Sequence, residues 1–339
     1  FFKQKTAYEI RNCDWSSDVC SSDLQLHWRP YGFALPRALV TSQGAWSARS
    51  GWLLRLEAAD GACGWGEAVA LPGQEAPLEA ALQRLPARLE RPQLEALLAS
   101  WPAPLACAVG LALAECDGLG SAASGGWQAA PPAAALLPAG AAALEALKPL
   151  LDAPGPLTLK WKVAACGDGE ERRLLEEVLA LLPAGGRLRL DANGGWDRAT
   201  AGAWADRLRA EPRLEWLEQP LAPADWEGLQ ALAARVPVAL DESLRQSPPP
   251  PLRHWGGWQV RRPLLEGDPR PLLAALAAGT PRLMLSTAFE TGIGRRLVAH
   301  LAALQAKGPT PTAPGLAPGW RPQGPLFAAD PQRVWESVA

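Results

Sequence analysis

Four stretches, LTLKWK (157–162), RLRLDAN (187–193), LEWLEQP (214–220) and PVALDES (237–243), share one design: a short apolar run that ends in charged or polar residues. GWQVRRP (257–263) and RLMLSTAFE (282–290) repeat it. Between the first of them lie EERRLLEEVLALL (170–182), DRATAGAWADRLRA (197–210) and DWEGLQALAARV (225–236), each with apolar residues at helical spacing over ten or more positions. Strand alternating with helix implies a parallel sheet with right-handed crossovers. Repetition at roughly 30 residues per unit favours a closed barrel. A doubly wound sheet is the alternative, but no glycine-rich phosphate loop follows the early strands.

The charged residues at the strand ends carry the chemistry. Lys160 and Lys162, Asp191, Glu218 and Asp241 all fall near C-terminal ends, the face on which barrel enzymes build their active sites. Lys160 and Lys162 share one strand face, while Leu157, Leu159 and Trp161 take the other. Three carboxylates gathered there repel one another unless a cation intervenes, and oxygen ligands without His or Cys select Mg²⁺, with Mn²⁺ as the substitute. A lysine acting as a base must have its pKa lowered from about 10.4. Lys160, Arg189 and the metal ion are the positive neighbours that would do this to Lys162. The bland readings are an N-cap for Asp241, a solvated strand end for Lys160, and a simple ion pair for Arg189.

Outward from this core the pattern changes. GWLLRLEAADGACGWGEA (51–68) reads as two strands around an Asp60-Gly61 turn. Helical spacing follows in LEAALQRLPARL (78–89), QLEALLASW (93–101) and PLACAVGLALAECDGL (104–119), giving an N-terminal α+β unit. SAASGGWQAAPPAAALLPAG (121–140) is a linker or a first barrel strand weakened by small residues. Phe1 to about Leu24, rich in Ser, Asp and Lys, departs from the Ala, Leu, Pro and Trp of the rest. It lacks a signal peptide's apolar stretch and resembles a translated sequencing adapter, so it and its Cys13 and Cys20 are expected to carry no function.

Bulk composition narrows the partners. The 339 residues hold 33 basic and 35 acidic side chains, a net charge of −2, too weak a field to recruit nucleic acid or an anionic membrane. Charged residues and prolines interrupt every apolar run before a bilayer is spanned. Six scattered cysteines form neither a zinc pattern nor a disulfide framework, which fits a reducing cytoplasm. Most of the 16 tryptophans are expected in packing roles, and the three histidines show no ligand spacing. A small-molecule partner is the remaining expectation; oligomeric state is not legible.

Lys160-Trp161-Lys162, Asp191-Ala192-Asn193, Glu218-Gln219-Pro220, Asp241-Glu242 and Ser286 to Glu290 follow an order that resembles the enolase superfamily, in its branch of muconate cycloisomerases, dipeptide epimerases and o-succinylbenzoate synthases. The match runs from about Trp28 to the C-terminal region. GAWSARSG (44–51) and GWGEAVALPG (64–73) are similar to early segments of the synthases. The resemblance implies an α/β fold, a (β/α)7β-type TIM barrel (123–320) with an N-terminal α+β capping domain (25–122) and a C-terminal segment (321–339) returning to the cap. It implies an Ala45 to Gly51 loop over the substrate, Lys162 as the acid/base residue, Mg²⁺ on Asp191, Glu218 and Asp241, and Ser286, Thr287, Asn193 and Arg189 near a small carboxylate substrate.

One departure bears on the reaction. The family carries a second lysine before a proline after the Asp-Glu motif, and this chain has Arg262-Pro263. Arginine stays protonated, so Arg262 can support an enediolate but not act as a base. Racemases and epimerases of the branch need bases on both faces of the carbon. A syn dehydration needs only one, so the resemblance implies the o-succinylbenzoate synthase reaction of menaquinone or phylloquinone biosynthesis. The alternatives are cycloisomerisation, N-acylamino-acid racemisation or epimerisation, and a paralogue that only binds.

Overall fold

The computed structural model describes residues 23–338 except 42–43, 153–154 and 247, with the backbone alone at 37, 39–41 and 44–45. Cys13, Cys20 and most of the Phe1–Leu24 stretch lie outside the described residues; Asp23 and Leu24 begin the first strand.

The first sheet holds β1 (Asp23–Thr41), β2 (Gly44–Ala58), β3 (Cys63–Ala70) and β4 (Arg88–Glu90) in the antiparallel order β3-β2-β1-β4. The β2-β3 connection is the anticipated turn: Gly61 adopts φ +87° and the Ala62 amide donates to Asp60 Oδ1. The sheet packs on α1 (Glu75–Gln83), α2 (Arg91–Leu97) and α3 (Ala103–Cys116). LEAALQRLPARL is not helical throughout. Pro86 cannot continue a helix, and Arg88–Glu90 instead pairs with Asp23–Gln25. The Ala45 to Gly51 segment, expected as a loop, is part of β2, held there by pairing with β1.

The glycines of Gly64-Trp65-Gly66-Glu67 set how closely α3 approaches. A Cβ on Gly64 would stand 1.8 Å from the Ala112 carbonyl oxygen, and one on Gly66 2.0 Å from that of Ala108. Two glycines two apart on a strand thus admit one turn of helix backbone. Trp65 and Glu67 lie among residues of the second layer instead.

The second sheet is parallel and runs in sequence order. It comprises β5 (Ala135–Leu137), β6 (Thr158–Lys162), β7 (Arg187–Asp191), β8 (Leu214–Glu218), β9 (Val238–Leu240), β10 (Trp258–Arg261) and β11 (Leu283–Leu285). Helices α4 (Ala142–Leu151), α5 (Asp168–Leu181), α6 (Arg198–Leu208), α7 (Trp226–Ala233), α8 (Arg270–Ala277) and α9 (Gly292–Ala306) separate or follow them. The circle closes through a short extended piece: Gly315 donates to Leu285 O and accepts from Thr287 N, while Ala134 N donates to Pro314 O. The 121–140 stretch therefore ends in the first barrel strand, preceded by a linker.

Alternation along the strands sorts the side chains as parity demands. Leu159, Trp161, Leu188, Leu190 and Leu217 pack outward against the helices. Trp216, Ala239, Val260 and Met284 cluster together, with Trp258 against them, as the apolar floor of the barrel. A register shift at Leu188/Arg189 leaves Glu215 as the extra residue on β8, and such a bulge turns a side chain off the regular alternation.

Glu67 ties the two layers. Although 1% exposed, it accepts from Tyr31 Oη at 2.6 Å, from Thr291 N at 2.8 Å and Oγ1 at 2.6 Å, and from Gly294 N at 2.8 Å. A strand of the first sheet therefore supplies an acceptor for the N-terminus of α9, where unpaired amides and the helix dipole favour negative charge. Burial pushes its pKa up while these donors oppose the rise. The Glu67→Gln variant puts an NH₂ where two amides need an acceptor, and should cost about 2 kcal/mol of unfolding free energy, measured by urea denaturation. An unchanged midpoint would contradict this role. The chain end returns to the same layer: in α10 (Pro331–Glu336), Trp335 packs on Trp65 at 5.8 Å and its carbonyl accepts from Arg29.

Candidate active site

A cavity of about 190 Å³ opens at the C-terminal ends of the parallel strands, and its wall includes Lys160, Lys162, Asp191, Asn193, Asp241, Arg262, Ser286 and Thr287. Of the residues singled out in the sequence, Glu218 lies just beneath this surface and Arg189 lies away from it. The strand register explains the gathering. Lys162 pairs with Asp191 and Asp191 with Glu218, while Glu218 pairs with Ala239, two residues before Asp241. Neighbouring strands are about 4.8 Å apart, so four ionisable groups from four adjacent strands face one small space.

Lys160 is not a solvated strand end. Its Nζ stands 2.8 Å from Asp191 Oδ2 and 2.6 Å from Glu218 Oε1. Burial alone would lower its pKa, but these two carboxylates overcome that and hold the ammonium protonated above the usual lysine range. Burial pushes Glu218 up to about 7, against the pull of that ammonium. Lys162 is half-buried, and its pKa is lowered by burial first, with the charge of Lys160 adding to the effect and Asp191 opposing it. The two lysines thus divide into a fixed cation and an amine that deprotonates more readily.

Asp241 is held from the other side. Arg262 grips it in the bidentate fashion guanidinium geometry permits, Nε to Oδ1 at 3.0 Å and Nη2 to Oδ2 at 2.6 Å, and donates through Nη1 to Thr287 O at 2.6 Å. Arg245 adds a contact to Oδ1 at 2.7 Å. Burial works to raise the Asp241 pKa, but the two guanidinium groups and Lys160 hold it well below the carboxylate range. Arg262, expected to support an enediolate, lines the cavity while paired with Asp241 and the loop after β11.

Glu242 also lines the cavity and is pushed up to about 7, by burial and then by the charges of Asp241 and Asp191. Asn193, in the left-handed region at φ +47°, donates to Glu242 Oε1 at 3.1 Å. Asn193 Oδ1 and Glu242 Oε2 are buried without a hydrogen-bond partner. Among the described residues no three acidic, histidine or cysteine side chains converge as a metal shell would; Lys160 is paired with Asp191 and Glu218, and Arg262 with Asp241.

Arg189 is placed differently from the expectation of a substrate contact. It is fully buried, 2.6 Å from Glu215 Oε2, with Nη2 donating to Thr312 Oγ1 and Ala313 O and its guanidinium 4.2 Å over the Trp216 ring. The bulge at Glu215 made the ion pair possible, so the plainer of the two sequence readings holds. Ser286 and Thr287 do face the cavity; Thr287 Oγ1 donates to Glu290 Oε2 at 2.8 Å, which also accepts from Ala288 N. Glu290 thus fixes the turn that presents both hydroxyl residues. Arg49, from β2, is among the wall residues to which the sequence reading gave no role. It lies in the wall, 2% exposed, and its signal was its place in the GAWSARSG segment, as a charge preceding an otherwise apolar strand.

Comparison with known proteins decides the relationship. Residues 142–248 match the family model described as "Enolase C-terminal domain-like". The o-succinylbenzoate synthase of Thermosynechococcus vestitus is 39% identical over 302 residues, covering 82% of this chain and 88% of the relative. The chain belongs to the o-succinylbenzoate synthase family. The synthase structure from Thermosynechococcus elongatus BP-1, solved with Mg in the active site, superposes with a TM-score of 0.77 at 33% identity, covering 93% of this chain and all of that one. A muconate lactonizing enzyme from Pseudomonas fluorescens, at 19% identity and TM-score 0.73 over 94% of this chain and all of its own, shares the fold. As a member of the o-succinylbenzoate synthase family the chain is a lyase with an enolase-like barrel. No described helix is long and apolar enough to cross a membrane.

Proposed function

We propose that the chain dehydrates 2-succinyl-6-hydroxy-2,4-cyclohexadiene-1-carboxylate to 2-succinylbenzoate, with Lys162 as the acid/base residue and Asp191, Glu218 and Asp241 as the ligands of Mg²⁺. The reading rests on one observation: a single lysine of lowered pKa faces the cavity, and the group where the branch carries a second lysine is an arginine locked to Asp241.

The donor set suits a hard cation. Asp191, Glu218, Asp241 and Glu242 are four carboxyl groups on neighbouring strand ends, two of them pushed up to about 7, and Asn193 Oδ1 and Glu242 Oε2 are buried without partners. Oxygen ligands on three adjacent strand ends match Mg²⁺, which requires the ammonium of Lys160 to swing off the two acids it now bridges. When bound, Mg²⁺ supplies Lewis-acid stabilisation for negative charge growing on the substrate carboxylate.

The Lys162 amine takes the proton from the ring carbon bearing that carboxylate. The C–H electrons form the new ring double bond as the C–O bond breaks, and the same ammonium returns its proton to the departing hydroxide as water. One base suffices because both groups leave from one face. Arg262 cannot offer a second base on the opposite face, which disfavours racemisation.

The base works only when neutral, so kcat/KM should rise with pH and level off above the Lys162 pKa. Since that pKa is lowered from the ordinary 10.5, the rising limb should lie below that value in a pH-rate profile. A limb at or above it would contradict the assignment. Residues 25–122 then serve as the cap, 123–320 as the catalytic barrel and 321–339 as the returning segment. A cytoplasmic setting accords with the four unpaired described cysteines. An assay for the aromatic product, run with Mg²⁺ and again with EDTA, tests the reading; absence of metal-dependent product would overturn it.

A further inference from the structure

We propose that Arg49 binds the second carboxylate of the substrate, the one at the end of its succinyl chain, an assignment that rests on the synthase reading above. Arg49 is 2% exposed and stands in the cavity wall. One nitrogen, Nη2, donates to the Ala288 carbonyl at 2.7 Å. The other two, Nε and Nη1, are buried and have no acceptor. A buried guanidinium with unmet donors is costly unless a ligand meets them.

The nearby acids do not serve it. Glu67 accepts from Tyr31, Thr291 and Gly294, and Glu290 from Thr287 and Ala288. Other cations of the wall are likewise committed, Lys160 to Asp191 and Glu218 and Arg262 to Asp241. A dianionic substrate therefore leaves one carboxylate to be matched, and a guanidinium with two open donors matches it by charge-assisted hydrogen bonding. Arg49 comes from β2 and grips the β11 loop, so sheet and barrel together fix the distance between the two charges. It is a specificity residue and takes no part in the bond changes.

The experiment compares equilibrium binding of 2-succinylbenzoate with that of 2-butanoylbenzoate, which keeps the ring carboxylate and ketone but lacks the terminal carboxylate. The full Mg²⁺-loaded chain is used as wild type, Arg49→Gln and Arg49→Lys. Wild type should prefer the dicarboxylate by about tenfold or more. Arg49→Gln should lose that preference by weakening 2-succinylbenzoate alone, with KM raised and kcat nearly kept. Arg49→Lys, which keeps the charge but has fewer donors, should fall between. Equal weakening of both ligands by Arg49→Gln would reveal a purely structural role, and an unchanged preference in either variant would exclude the contact; both overturn the proposal. Failure of wild type to turn over the cyclohexadiene substrate would instead overturn the synthase reading, which the ligand pair does not test.

Discussion

Replacing Lys162 by alanine is expected to lower kcat by about 10³-fold or more while Mg²⁺ still binds, since positioned acid–base groups contribute about 10²- to 10⁴-fold and here one group serves both proton transfers. The side chain is half-buried at the end of β6, so its truncation leaves no large cavity and stability should change little. Direct metal titration alongside single-turnover product formation separates the two effects. Residual turnover within tenfold of wild type would remove Lys162 from the mechanism, and a parallel loss of metal affinity would point to a structural role.

Lys160→Met should act in the opposite way, on stability before chemistry. The ammonium is the buried counter-charge for Asp191 and Glu218, at 2.8 and 2.6 Å. Removing one partner from a buried ion pair costs about 3–5 kcal/mol because the other charge is left uncompensated. In EDTA the variant should therefore unfold at a much lower denaturant concentration than wild type. Mg²⁺ should narrow the gap, because a divalent cation bound to the native state alone stabilises it and meets the same two carboxylates. A deficit equal with and without Mg²⁺ would mean that Asp191 and Glu218 do not bind the ion.

The two lysines looked alike in the sequence, two residues apart on one strand face. Their roles separate only through what surrounds them. One step deeper, Lys160 lies between acids from the next two strands, whereas Lys162 sits at the rim. The same depth distinguishes Asp191 from Arg189. Both have inward parity on β7, but Arg189 falls in the floor layer with Trp216, where the bulge turns Glu215 toward it. A bulge leaves no mark in a pattern of alternating residues, so Arg189 could be read equally as a tuner of Lys162 or as half of an ion pair.

Arg49 and Glu67 were illegible for a different reason. Each sits on a strand of the first sheet and acts on a loop or helix more than 200 positions away: Arg49 on Ala288, Glu67 on Thr291 and Gly294. The sequence does mark the close approach of α3, through Gly64 and Gly66, once the helix is known to lie there. The Ala45 to Gly51 segment was expected as a loop from the family resemblance, but pairing with β1 makes it strand.

The sequence by itself determined the parallel αβ rhythm, the strand ends that carry Lys160, Lys162, Asp191, Glu218 and Asp241, and the arginine in place of a second base. The first two follow from local periodicity and side-chain chemistry and the third from the family resemblance, and none needs knowledge of what lies across the fold. The tertiary structure decided which charge neutralises which, how the circle closes through Pro314 and Gly315, and that Arg49 stands in the wall with donors unmet. Such pairings depend on depth and register between segments far apart in the chain, and burial makes them strong only after the barrel has closed.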